Sequence, residues 1–463
     1  RQFRILYQPP GSFEVHVHNN CLCNEYISLR NRVLMEVPSP THEFVRPARE
    51  LAHRIGTWLG RHTPMEGEWI SKYSGRKLTL YRQAEASLLI DGFHQRDRYI
   101  KSFIKPEKIS DPTRDPRTIQ ARSPRYNYCL GNYLKPIEHK LYRITGSRNL
   151  RRWLPRGRLI AKGLDLRARA YLVRSKLNSL PNCVCFSIDA SRFDAHVGRV
   201  MLDIEHSVYK RCYPGDRLLQ KLLDLQQVNR GFTAGGIAYK CPGGRMSGDM
   251  NTALGNCLLM VIITAVTMRR LGLAPSQWQM LCDGDDTLIF VSAEHEQLLT
   301  INFPELFNQA GMSIKLENRA SKLEQIAFCQ GKIIPTYDGL KFVQNPIRSM
   351  SRSLVSCRHY QHLSAVNKVL ATVGRCELAI NMGVPVLQAY AQSMIRNAGE
   401  VPPRHAVNFS GRVFKAQREW RAHGGVVEPL PITMEARLAF EEAFDMPLDE
   451  QLRLERLFAT VVY

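Results

Sequence analysis

Three aspartates stand where hard-metal chemistry needs them. Asp285 and Asp286 follow Gly284 within the run Q-M-L-C-D-G-D-D-T-L-I-F-V at residues 279–291, and Asp189 ends the apolar run at residues 183–189. Nucleotidyl transfer uses two divalent ions about 3.5–4 Å apart, one activating the attacking hydroxyl and the other supporting the triphosphate and its leaving group. Magnesium, or manganese in its place, takes hard oxygen ligands and keeps some positions for phosphate, so two or three carboxylates from different strands suffice. The metal candidates are therefore Asp189, Asp285 and Asp286, with two ions as the cofactor. Asp283, just before the glycine, has no assigned role.

The acids can meet only if the chain brings them there. Residues 183–189, after the Pro181-Asn182 turn, are β-branched and apolar and read as a buried strand carrying a carboxylate at its end. Residues 279–291 read as two short strands meeting at Gly284, which permits the tight turn and leaves the acids at a hairpin tip. Residues 243–271 open with glycines and continue into a long apolar helix. A helix is predicted over 78–89, after the Ser74-Gly75 turn. From Asn345 helical patterning dominates, broken at Pro402-Pro403 and over 424–431, and resuming at Thr433 as the N-cap of a helix over 434–444. Residues 1–90, with breaks at Pro9-Pro10 and Pro38-Ser39-Pro40, read as an irregular lead-in.

At 463 residues the chain has ample core material. Its 64 Lys and Arg against 42 Asp and Glu give a formal charge of +22, which favours a polyanionic partner such as nucleic acid or an anionic membrane surface. The excess is concentrated, with 22 basic and 6 acidic residues between Arg96 and Lys176. Twelve scattered cysteines suit a reducing, cytoplasmic setting better than a disulfide framework. The longest apolar stretch, 257–268, ends at Arg269-Arg270, short of the roughly 20 residues of a membrane span, and reads as a buried helix. The chain begins at Arg1, which suggests a fragment, a processed product or a readthrough or frameshift extension, with any membrane anchor upstream.

Between Asp189 and the hairpin lie D-A-S-R-F-D, with Asp194 five residues after Asp189, and G-G-R-M-S-G-D-M-N-T-A-L-G-N at 243–256. In order and spacing these resemble motifs A, B and C of viral RNA-dependent RNA polymerases, particularly the tombusvirus-like group of plant viruses and its umbra-like relatives. The resemblance implies an α+β right-hand polymerase, with fingers, an antiparallel palm sheet flanked by helices, and a helical thumb. It places the lead-in and fingers at 1–180, palm at 181–204, a fingers insertion at 205–240, palm again at 241–342 and thumb at 343–463. It implies that Asp189 and Asp286 are metal ligands and Asp285 the primary acid of the motif C pair. Asp194, Ser247 and Asn256 would sense the ribose 2′-OH, supported by Thr252. Gly243, Gly244 and Gly248 would let the backbone approach template and nucleotide closely.

Residues 102–127 resemble motif F, the basic finger lining nucleotide entry, where Arg forks suit phosphate oxygens. Lys105, Lys108, Arg117, Arg122 and Arg125 are the candidates, Arg117 foremost. Residues 72–81 are similar to a fingers segment in which Arg76 and Lys77 would contact template phosphates. A-G-M-S-I-K-L-E at 310–317 resembles motif D, making Lys315 the general acid for departing pyrophosphate, with Lys322 behind it. I-A-F-C-Q-G at 326–331 resembles motif E, a strand pair gripping the primer end, where Cys329 reads as a packed small residue. Residues 436–444 and 449–455 look like the thumb.

A reverse transcriptase shares the acid cage, but carries an aromatic gate where this chain has Asp194, and usually Y-x-D-D where it reads G-D-D. A basic RNA-binding or coat protein would account for the charge but not for carboxylates on apolar strands. His16, His18, Cys21 and Cys23 fall as H-x-H-x-x-C-x-C, lack the usual C-x2-C zinc spacing, and read as a local loop. The expectation is an enzyme copying viral RNA from nucleoside triphosphates on an RNA template. By the same resemblance it would work in membrane-associated replication complexes of the host cytoplasm, with a membrane-associated viral replication protein and host factors.

Overall fold

The computed structural model describes residues 4–5, 12–356, 362–402, 416–417, 420–421, 424–425 and 427–463. Strands β1 (Ile100–Ile104), β2 (Thr118–Arg122), β3 (Cys183–Ala190), β4 (Val228–Thr233), β5 (Ala238–Pro242), β6 (Trp278–Asp283), β7 (Asp286–Ser292) and β8 (Ile314–Ala320) form two sheets of four. One has the order β6-β7-β3-β8 and is antiparallel throughout. The expected acid-bearing strand and hairpin are therefore neighbours in one sheet. Gly284, at φ +83, takes the left-handed conformation demanded by the first position of this two-residue turn. Its N–H donates to the Cys257 thiol at 3.1 Å, so the tip rests on the helix behind the sheet.

Alternation along β3 sends side chains to two different cores. Val184, Phe186 and Ile188 join the larger one, with α1 (His42–Leu59), α2 (Arg199–Cys212) and α3 (Thr252–Arg270). Cys183 and Cys185 join a smaller one with Leu281, Leu288 and Phe290, closed by the hairpin β9 (Gly331–Thr336) and β10 (Gly339–Gln344). Burial on both faces explains why these strands read as continuous apolar runs. Helix α3 is longer than the apolar stretch that announced it. By length and composition alone it could cross a membrane, yet 83% of its most apolar window is buried within the protein.

The second sheet has the order β2-β1-β4-β5, with β1 and β4 parallel, and so unites residues 100–122 with 228–242. The helix predicted over 78–89 runs from Gly75 to Asp91. Thr433 caps the helix Met434–Phe444 as expected, its hydroxyl accepting from the Ala436 N–H at 3.1 Å. Two expectations fail. Residues 1–90 are not merely irregular, because α1 buries Phe44, Ala48, Leu51, Ile55 and Leu59 at helical spacing despite Pro47 within it. Residues 326–331 form no strand pair. Cys329 and Gln330, both at positive φ, make a tight turn closed by the Phe328–Gly331 bridge, and β9 starts only at Gly331. Pro9-Pro10 and Pro403 lie outside the described residues.

Phe290 is fully buried in the smaller core. Phe290→Ala should lower unfolding stability by about 3–5 kcal/mol through lost burial and a residual cavity, measurable as a shifted denaturant midpoint.

Candidate active site

Strand register sets the geometry of the acids. Ile188 pairs with Thr287 across β3 and β7, so Asp189 and Asp286, one step further on, stand side by side. Asp283 is paired with Asp286 on one side, and Asp189 with Lys315 on the other. Directly opposed residues of antiparallel strands share a face. One row across four strands therefore reads Asp283, Asp286, Asp189, Lys315. Asp189, Asp285, Asp286 and Lys315 are exposed at the open end of the smaller core. Among the described residues, no three His, Cys, Asp or Glu side chains already converge as a metal cage. Carboxylates without a cation between them repel, and here they share a face rather than a point.

Asp283 is set apart from its neighbours. It is nearly buried, ion-paired to Lys162 and bound by Arg169 Nη2 at 2.7 Å. Burial opposes its charge, but the Lys162 ammonium and then the Arg169 guanidinium overcome that and hold the carboxyl below its usual range. Asp286 has the opposite balance: its side chain reaches solvent, but the protein atoms crowded around it, and then the charges of Asp285 and Asp283, push it up to about 6. The Cys329 thiol partly offsets this as a hydrogen-bond partner of Asp286. Burial raises the Cys329 pKa, which keeps the sulfur a protonated donor rather than a nucleophile.

Asp194 and Asn256 do meet, Asn256 Nδ2 donating to Asp194 Oδ1 at 3.0 Å. Desolvation raises the Asp194 pKa against that bond. Ser247 is not joined to them by a hydrogen bond: its hydroxyl accepts from the Gln120 N–H of β2 at 3.0 Å. Thr252 closes the intervening loop by donating to the Met246 and Asp249 carbonyls. The glycines approach protein. A Cβ on Gly243 would lie 2.8 Å from Arg199 N, and one on Gly248 2.5 Å from Gln120 O. A Cβ on Gly244 would press on Cys241 and Met246 side chains.

The basic candidates divide. Lys105 and Arg117 share Glu107 at 2.8 and 3.5 Å and keep substantial exposure. Lys108 Nζ binds the Arg352 carbonyl. Arg122 is fully buried, forked onto Asp249, and Arg125 is paired with Asp91 and Asp97, so neither guanidinium is free to meet a nucleotide. The expectation for both is corrected, because internal acids take up their charge. Arg76 is exposed, as is Lys77, whose ammonium lies 4.0 Å from the Tyr73 ring. Lys322 pairs with Glu442. Of the H-x-H-x-x-C-x-C run, His18 binds the Arg114 carbonyl, His16 bridges to Ile109, and Cys21 lies against Cys23.

A family model described as viral RNA-dependent RNA polymerase matches residues 1–462. The chain belongs to that family. It is 34% identical over 465 residues to the RNA-directed RNA polymerase of Carnation mottle virus, covering 96% of this chain and 58% of that protein. For Tobacco necrosis virus the identity is 34%, covering 97% and 62%, and for Tomato bushy stunt virus 33%, covering 96% and 54%. The chain thus spans little more than half the length of these curated relatives. Family membership fits the row of acids and the Asp194–Asn256 pair. Reading motifs alone missed Lys162 and Arg169, which the basic run concealed, and Glu205 and Arg245, discussed below. Glu205 did carry a signal, an acid on the apolar stripe of Met201, Leu202, Val208 and Tyr209.

Without metal, the raised Asp286 carboxyl penalises folding above about pH 6, where it is forced to ionise, and not below about pH 4, where both folded and unfolded forms are protonated. Asp286→Asn should therefore raise the Tm of the metal-free protein at pH 7–8, with the gain fading toward pH 4. Thermal melts across that range check it.

Proposed function

We propose that this chain carries the RNA-directed RNA polymerase activity of a positive-strand RNA virus of plants, joining nucleoside triphosphates on an RNA template. The observation that carries the reading is the row of Asp286, Asp189 and Lys315 on one sheet face. Asp189, Asp285 and Asp286 would hold two magnesium or manganese ions, which activate the attacking hydroxyl and offset the triphosphate charge. An all-oxygen donor set suits such ions, and Asp286 lacks a neighbouring cation sufficient to keep it at its ordinary acidity.

The chain's own groups supply the rest. Lys315 would hold a proton at Nζ for the leaving pyrophosphate. Lys105 and Arg117 would meet the incoming triphosphate, and Arg76 and Lys77 the template phosphates. Asp194 would accept a hydrogen bond from the ribose 2′-OH, rejecting a sugar that lacks it. Fingers at 1–180 and 205–240, palm at 181–204 and 241–342, and thumb at 343–463 suit this reading, supported by the sheet that joins 100–122 to 228–242. The setting would be membrane-associated replication complexes of the host cytoplasm, with a viral replication protein and host factors as partners.

A template-extension assay offering RNA or DNA templates and ribo- or deoxynucleotides tests the reading. Asp285→Ala and Asp286→Ala should abolish synthesis while leaving RNA affinity within about a factor of two, since neither acid binds phosphate directly. Full activity in either variant refutes the assignment. Asp194→Ala should weaken the preference for ribonucleotides, read from competing incorporation.

A further inference from the structure

Behind Asp194 lies a buried ion pair for which the proposed reaction has no direct use. Arg245 and Glu205 have side chains 1% and 0% exposed, in the middle of the larger core. Such a pair is a poor way to gain stability, because apolar residues of similar volume serve as well or better. Its geometry indicates another purpose.

Arg245 touches the sugar-sensing pair at two points. Its backbone N–H donates to the Asp194 carbonyl at 2.7 Å, and its side-chain Nε donates to Asn256 Oδ1 at 2.9 Å. The remaining guanidinium nitrogens fork onto Glu205, which also accepts from Asn251 Nδ2 at 2.7 Å and the Tyr209 hydroxyl at 2.9 Å. A guanidinium has donors and no acceptor, so it admits only one orientation of the Asn256 amide: oxygen toward Arg245, nitrogen toward Asp194. Asp194 Oδ1 is thereby engaged, and Oδ2 is left to accept from a ribose hydroxyl. A turned amide would set its oxygen against the carboxylate. The helix α3 makes room for the fork at Gly255, where a Cβ would lie 2.3 Å from Glu205 Oε1 and 2.6 Å from Arg245 Nη2.

We propose that Arg245, clamped by Glu205, is a positioning residue that fixes the Asn256 amide and so sets the preference of the site for ribose over deoxyribose. The proposal rests on the polymerase reading above.

The test is single-nucleotide extension of an RNA primer–template, comparing kcat/KM for a ribonucleotide and its 2′-deoxy analogue. Arg245→Lys keeps a cation opposite Glu205 but loses the Nε donor to Asn256, and the ribo-to-deoxy ratio should fall by about tenfold or more. The double variant Arg245→Met with Glu205→Gln removes both charges together while keeping a carbonyl oxygen to accept from Asn251 and Tyr209. It should melt within a few degrees of wild type, since no buried charge is left unpaired, and still show the reduced ratio. A wild-type ratio in either variant overturns the proposal. So does a loss on both sugars by the same factor, total inactivity included, which assigns Arg245 to folding alone. A wild-type chain that extends nothing refutes the polymerase reading itself, whereas an active wild type with unselective effects in the variants refutes only the brace.

Discussion

Like charges gathered at one edge of a sheet push apart, and much of this molecule can be understood as the means of keeping them together. The four-stranded ladder fixes Asp283, Asp286 and Asp189 in a row whatever their charges prefer. Apolar packing on both sheet faces supplies the force that holds the ladder, and Gly284 allows the turn that brings the acids to its end. The repulsion is resolved selectively. Asp283 is neutralised by Lys162 and Arg169, while Asp286 is left without an equivalent partner. Under the proposed reading, a site that is to receive cations cannot be fully satisfied in advance.

The same division runs through the basic residues. The high net charge suggests a positive surface, but Arg122, Arg125, Arg169 and Arg245 are all committed to carboxylates inside the protein. Lys105, Arg117, Arg76 and Lys77 remain accessible. Internal arginines lock segments distant in sequence to one another, as Arg122 ties β2 to the loop before α3 through Asp249. Charge in this chain therefore serves architecture as much as recognition.

What was legible in the residues followed from local physics. The acid-bearing strand, the hairpin at Gly284, the apolar helix and the Thr433 cap each depend on neighbours a few positions away, and each is found where expected. Pairings that span a hundred residues were not legible: Arg122 with Asp249, Arg169 with Asp283, and Ser247 with Gln120. Nothing local distinguishes an arginine that will be buried from one that will meet a phosphate. Helix α1 was missed because a proline inside it masks a sound apolar stripe. The turn at Cys329-Gln330 was missed because two residues without a glycine gave no sign of a left-handed backbone.

The position of β3 in its sheet has a temporal side. Its two partners, β7 and β8, come from chain that is made much later, and until they arrive both hydrogen-bonding edges of an apolar strand are bare. Closing such long loops is intrinsically slow. A ribosome would present Asp189 well before anything could hold it in register, so the nascent chain would pass through an interval in which its apolar strand is unpaired. That interval ends only when residues 314–320 have emerged and docked along the far edge of β3.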